Sequence, residues 1–366
     1  MNVTCSRSEL RDALRIVSGV VDPRTIRPIL KDIHVRANGD TLEISATDLE
    51  VGLKYFVRDI EVKKPGGIVI AADPLAGIVN ESRDERMSLV VEDSSLVIQG
   101  KGSRFQVVGT TEEEFPEIPD FPEESALEIE GAVLREMIDK TFFAVSSEKQ
   151  RYALNGVLLA TKEKSNKVEM VGTDGHRLAL IRRKANAPAP VTAQAIISHK
   201  ALQQLQKMVG DEETVKICIH ERQVLVRTQN AVLIAQLVEG RFPAYKEVLP
   251  DDCDKKLEIL AEDLGNAVRQ AAVLTARETA AVWLNCSEGK LTVECSDPNL
   301  GQAHVELDAK YEGEPLRIRF NPDFLLDGCK AMSKESIRME AKDPARAVVM
   351  RAGTDYLYLL MPIVQE

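Results

Sequence analysis

The residues of this chain best suited to chemistry gather in one short turn, Thr173, Asp174, Gly175, His176 and Arg177. A carboxylate, an imidazole and a guanidinium side by side suggest acid–base work, since histidine exchanges protons near neutrality. The same residue types also build a structural corner, and a lone turn lacks the nucleophile and second base of a catalytic constellation. The other histidines, His34, His199, His220 and His304, are dispersed, and the six cysteines (Cys5, Cys218, Cys253, Cys286, Cys295, Cys329) contain no C-x-x-C pair. They read as reduced thiols of a cytoplasmic protein, neither disulfides nor zinc ligands. No phosphate loop, H-E-x-x-H metal helix or G-x-S-x-G nucleophile turn is present; GKGS at 100–103 is too short and falls between strands. No catalytic residue, metal or cofactor is expected. An enzyme would need a strongly perturbed acid–base pair in a deep cleft.

The elements that carry this turn recur. A short strand and an amphipathic helix appear at NVTCSRSELRDALRIVSGVV, ALEIEGAVLREMIDKTFFAVS and KLEILAEDLGNAVRQAAVLTA, and Leu10, Leu134 and Leu264 align. An alternating strand ending in a polar turn follows each, so that Thr47, Thr173 and Ser296 correspond. A second helix aligns Leu75, Leu202 and Leu325 and leads into more alternating strands. All these landmarks repeat at intervals of about 125 residues, the signature of a repeat architecture. Two helices and antiparallel strands per repeat predict an α+β fold of three similar domains, 1–124, 125–250 and 251–366. The acidic, proline-rich stretch 112–125 and LPDDCDKK at 249–256 have the composition of exposed connectors.

The formal net charge is −11, which at first disfavours nucleic acid. Its distribution matters more: the six helical stretches carry about +1 and the remainder about −12. Arg7, Arg11 and Arg15 share a helix face, as do Lys200 with Lys207 and Lys330 with Lys334. A solvated, ion-paired helix surface explains this spacing; so does a weakly basic, helix-lined channel inside an acidic shell, holding phosphates without reading sequence.

RYALNGVLL at 151–159, TDGHRLAL at 173–180, GRFPAYKEVLP at 240–250 and LLMPIV at 359–364, with RPIL at 27–30 and TDLE at 47–50, closely resemble the bacterial DNA polymerase III beta sliding clamps along the whole chain. That resemblance implies the DNA clamp fold and a non-enzymatic, ring-forming head-to-tail homodimer around duplex DNA, opened by a clamp loader complex. The polymerase III catalytic subunit and other proteins with a clamp-binding motif would dock through a short peptide. The docking pocket carries over as Leu154, Thr173, Gly175, His176, Arg177, Leu178, Pro243, Val248, Leu359, Met361, Pro362 and Ile363, an apolar groove with a few polar anchors. DNA contacts carry over as Arg24, Arg151 and Tyr152, and the dimer seam as Phe105 and Val107 against Val273 and Leu274, for which an ordinary core role is the alternative; Lys200 reads either as a further phosphate contact or as an ordinary solvated lysine. Glu247 and Val364 stand where relatives often have arginine, and Ala153 where they often have tyrosine, which bears on peptide preference and on one DNA contact. No apolar run long enough for a membrane span and no secretory leader appear. A repeat scaffold that binds peptides and never meets DNA would share the groove but lack a basic inner face.

Overall fold

The computed structural model describes residues 1–122, 126–146, 148, 152–220, 222–275 and 281–364. Among them are six α-helices: α1 (Arg7–Val17), α2 (Ala72–Glu81), α3 (Gly131–Asp139), α4 (His199–Met208), α5 (Ala261–Ala272) and α6 (Pro322–Ala331). Two fall in each sequence repeat, as expected. Their apolar residues recur at helical spacing: in α1, Leu10, Ala13, Leu14 and Val17 are buried on one stripe. Side chains start two of them: Ser198 accepts the Ala201 N–H of α4, and Asn321 accepts the Asp323 N–H of α6 behind Pro322. No described helix is long and apolar enough to cross a membrane.

The strands form antiparallel sheets, and the chain divides into two compact units: Met1–Arg135, Lys162–Asn166 and Ala185–Leu237 in one; Glu136–Thr161, Lys167–Lys184 and Val238–Glu366 in the other. Both units draw on the middle repeat, because strand pairing crosses the repeat boundaries. In the first, a 13-stranded sheet joins Val51–Val57 to Ala231–Gln236 (Ala231↔Tyr55, Leu233↔Leu53, Ala235↔Val51). In the second, Arg177–Lys184 pairs with Tyr356–Leu360 (Arg177↔Leu360, Leu178↔Leu359). The second unit also holds a four-stranded sheet that ends in Gly301–Asp308.

The first connector departs from the expectation of an exposed link. Ile118 and Phe121 are buried with Cys218, Leu225, Val232 and Ile234, while Glu112 bonds His34 at 2.8 Å and Asp120 bonds Lys54 at 2.6 Å. Its two apolar residues find a sheet face to cover, and that burial outweighs its polar composition.

One turn recurs in all three repeats. The carboxylates of Asp48, Asp174 and Asp297 each accept two backbone N–H groups, from Glu50 and Val51, His176 and Arg177, and Asn299 and Leu300. Gly175 holds φ 91°, where glycine is at ease; Leu49, its counterpart, holds φ 77°, a conformation that costs a branched side chain about 1–2 kcal/mol.

Candidate peptide-docking site

Strand pairing brings most of the predicted pocket residues together within the second unit. The Thr173 hydroxyl donates to the Arg177 carbonyl (2.6 Å) and accepts the Gly175 N–H, which closes the turn. Arg177 then enters the strand opposite Leu360, and the Met361 N–H bonds the His176 carbonyl at 2.9 Å, so the C-terminal segment lies beside the turn. The Ile363 N–H is held by the Arg319 carbonyl at 2.8 Å.

Arg177 is the electrostatic centre. Its guanidinium donates to Asp174 (2.9 Å), Asp327 (2.5 Å) and the Phe143 carbonyl (2.8 Å), and lies 4.4 Å from the Phe324 ring centroid and 5.7 Å from that of Phe143. Burial opposes the charge, but Tyr358, Asp327 and Asp174 more than offset it, and the Arg177 pKa lies above its ordinary value. Burial drives the Tyr358 hydroxyl well above its usual range, so it stays protonated and donates to the Phe324 carbonyl at 2.9 Å. His176 stacks on Phe324 with ring centroids 6.5 Å apart. Phe143, Phe324, Asp327 and Tyr358 were missed by sequence reasoning. Their nearest sequence signal is the apolar spacing of the helix that carries Phe324 and Asp327, which does not mark them as partners of a turn some 150 residues away.

Two short 3-10 segments supply the remaining residues. Tyr152–Leu154 ends in half-buried Leu154, whose carbonyl accepts the Ser146 N–H at 3.0 Å. Tyr245–Val248 follows Pro243 and leaves Val248 55% exposed. The segments approach at Gly240 (φ 122°), where a Cβ would stand 3.4 Å from that of Ala153. Tyr245 anchors the second segment through its hydroxyl on Glu169 at 2.8 Å, beside Arg182 at 2.7 Å from the same carboxylate.

The site therefore separates into floor and rim. Leu178, Leu359, Pro362 and Thr173 are buried; they support the surface instead of lining it openly. His176, Pro243, Val248, Met361 (43% exposed) and Ile363 (38%) form the accessible part, with Val364 beyond them. Exposed apolar side chains next to a fixed guanidinium and an imidazole suit a short amphipathic peptide. Asp174 is engaged with Arg177 and the turn amides. Burial raises the thiols of Cys5, Cys286 and Cys329 to about 12. Among the described residues no group of three or more potential ligands could hold a metal ion.

Comparison with known proteins decides the family. The N-terminal, central and C-terminal domains of the DNA polymerase III beta subunit match residues 1–119, 128–244 and 246–363. The chain belongs to that family. It is similar to the beta sliding clamp of Pseudomonas putida, 31% identical over 99% of this chain and all of that one. The Caulobacter vibrioides beta sliding clamp is 32% identical over 99% and 100%. Among solved structures, the DNA polymerase sliding clamp of Bacillus subtilis superposes with a TM-score of 0.95 at 25% identity, and the DNA polymerase III subunit beta of Pseudomonas aeruginosa with 0.94 at 29%, each covering both chains fully. The fold is accordingly the α+β DNA clamp fold.

The other residues implied by the family are placed one by one. Arg24 lies exposed in the turn after α1, its backbone N–H on Asp22. Arg151 is outside the described residues, and Tyr152 opens its 3-10 segment. Lys200 departs from the expectation of a free phosphate contact: its ammonium is bound by the Asp48 carboxylate and by the Val20 carbonyl at 2.9 Å. The arginine stripe of α1 also divides, with Arg7 bonded to the Asp84 carbonyl at 2.8 Å and Arg11 and Arg15 exposed. Phe105 (42% exposed) and Val107 lie on Ser103–Thr110, which pairs fully with Ser95–Gly100 but with Gly66–Ala71 only at Gly109 and Thr110. Val273 (75% exposed) caps α5, and Leu274 follows it.

Proposed function

We propose that this protein is a DNA sliding clamp, a processivity factor without catalytic activity that closes as a homodimeric ring around duplex DNA and tethers the replicative polymerase. The observation that carries this reading is the match of three beta-subunit domains in order along the whole chain. The same match supports three clamp domains, 1–124, 125–250 and 251–366.

The polymerase III catalytic subunit and other partners dock by a short peptide at the surface of His176, Pro243, Val248, Met361 and Ile363, above Leu154, Thr173, Gly175, Leu178, Leu359 and Pro362. Arg177 keeps that surface rigid, so little ordering cost falls on binding. Arg24, Arg151 and Tyr152 touch the duplex without sequence preference. Phe105 and Val107 of one protomer meet Val273 and Leu274 of its partner. Two features support that seam: the part of Ser103–Thr110 before Gly109 has an open edge among the described residues, and Gly301–Asp308 ends its sheet, so two strands are available for pairing. A clamp loader complex opens the ring, and the cytoplasm is its place of action.

Loading onto nicked circular DNA tests the reading. The protein stays on closed circles and runs off when they are linearised, and a chain ending at residue 360 is retained on circles but no longer captures the catalytic subunit. Equal retention on linear DNA contradicts topological linkage, and undiminished capture after truncation removes the docking assignment.

A further inference from the structure

The first unit contains a structural counterpart of the docking site. Its turn 47–51 has the hydrogen bonds of 173–177, with Thr47 on the Val51 carbonyl at 3.1 Å and Asp48 on the two following amides. The next strand is paired in the same register: Val51 faces Ala235 as Arg177 faces Leu360, and the Gln236 N–H bonds the Glu50 carbonyl as that of Met361 bonds His176. Glu50 thus occupies the position of His176, Val51 that of Arg177, and Leu49 that of Gly175.

A cleft of about 190 Å³ opens at this counterpart, lined by Leu49, Glu50, Pro116, Glu117, Ile234 and Gln236, among others. It is smaller than the ~300–1,000 Å³ of small-molecule sites, and suits one or two side chains of a peptide. Ile118 and Ile234 make an apolar floor, and Ile118 packs over Gly52, where a Cβ would lie 3.1 Å away. Leu49 is 46% exposed although its backbone is in the left-handed region, so a branched apolar side chain is displayed at a position that glycine would fill without strain. Glu50 and Glu117 are exposed, and among the described residues no lysine, arginine or histidine lines the cleft.

We infer that this cleft is a second linear-peptide site, selecting a segment with an aliphatic residue between basic ones, opposite in charge preference to the site at His176 and Arg177. The charge follows from the lining: Glu50 stands where the first site has His176, and Glu117 adds a second exposed carboxylate. Only the class of ligand rests on the peptide reading of the first site; the cleft and its charge stand independently.

The test is a methyl NMR titration of the full chain with an acetylated pentapeptide, arginine–leucine–lysine–leucine–arginine. We expect saturable shifts at Leu49, Ile118 and Ile234, at least tenfold weaker binding of the glutamate–leucine–aspartate–leucine–glutamate peptide, and at least tenfold loss in Glu50→Lys and in Glu117→Lys. Leu49→Gly weakens binding while raising the unfolding midpoint, a combination that a merely structural residue would not give. Unmoved methyls, equal affinity for the two peptides, or shifts confined to Leu178 and Ile363 overturn the inference. The titration is unchanged in a chain ending at residue 360, so loss of polymerase capture alone sinks the first site and not this one.

Discussion

In the turn 47–51 the aspartate that organises the backbone also binds Lys200, a residue of α4 in the next repeat. In the turn 173–177 the equivalent aspartate binds Arg177 inside its own turn, and that arginine reaches Asp327 of α6 in the following repeat. Both turns are tied to a helix of the next repeat by one ion pair, but the signs are exchanged. The difference lies in what is left exposed. At the first turn the cation is consumed and carboxylates remain; at the second, the guanidinium is fixed between two aromatic rings and an imidazole stays accessible. A shared backbone scaffold thus displays an exposed carboxylate, Glu50, at one turn and an exposed imidazole, His176, at the other, without any change of hydrogen-bond frame.

Removing the cation at the second turn should break the comparison most strongly. Arg177→Ala removes the guanidinium that neutralises Asp174 and the donor to the Phe143 carbonyl in a largely buried place, while Asp174 keeps its two turn amides, and should cost about 2–4 kcal/mol. Urea unfolding measures the loss, and hydrogen exchange should localise it to the amides of His176 and Met361. Exchanging the residues at the left-handed position comes next. Gly175→Leu should destabilise by about 1–2 kcal/mol, whereas Leu49→Gly should stabilise by about 0.5–1 kcal/mol, because strain relief exceeds the extra freedom of the unfolded chain. Denaturant midpoints of the two variants should therefore move in opposite directions.

Lys200→Ala should cost about 1 kcal/mol and leave the salt dependence of DNA binding nearly unchanged, since its charge is already paired. Arg24→Ala should do the reverse, lowering the slope of log affinity against log salt by about one with no loss of stability. Binding isotherms at several salt concentrations separate the two. The smallest effect concerns the third copy of the turn, which leads into the strand of His304. Glu306 and then Glu294 hold that imidazolium, raising its pKa above 6.5. A raised folded-state value means that its contribution is complete below the unfolded pKa near 6.5 and fades as pH rises through the higher folded value. An NMR titration of His304 should show a midpoint above 6.5 that falls in Glu306→Gln.

The six helices and the threefold pattern were legible because apolar spacing is a local property: Leu10, Leu134 and Leu264 announce their helices without help from distant residues. The turn 173–177 was equally plain. What stayed hidden depends on contacts remote in sequence. Lys200 reads as a free cation until Val20 and Asp48, 180 and 152 residues away, are seen to hold it. Leu178 reads equally as groove lining or core and Leu359 as groove lining, and only their pairing across two strands, with 3% exposure each, shows both to be buried. The acidic connector reads as solvated, and only the sheet beneath Ile118 and Phe121 pins it. Residue type told which side chains had the chemistry, and distant pairing determined which of them were still available to a partner.

Because Ala231–Gln236 bonds to a strand of the preceding repeat and Arg177–Lys184 to a strand of the following one, the central third of the polypeptide owns neither of its outer borders. Produced by itself, it would present two rows of unsatisfied amides and carbonyls, ready templates for aggregation. Exchange of such thirds therefore requires that a matching strand travel with each piece.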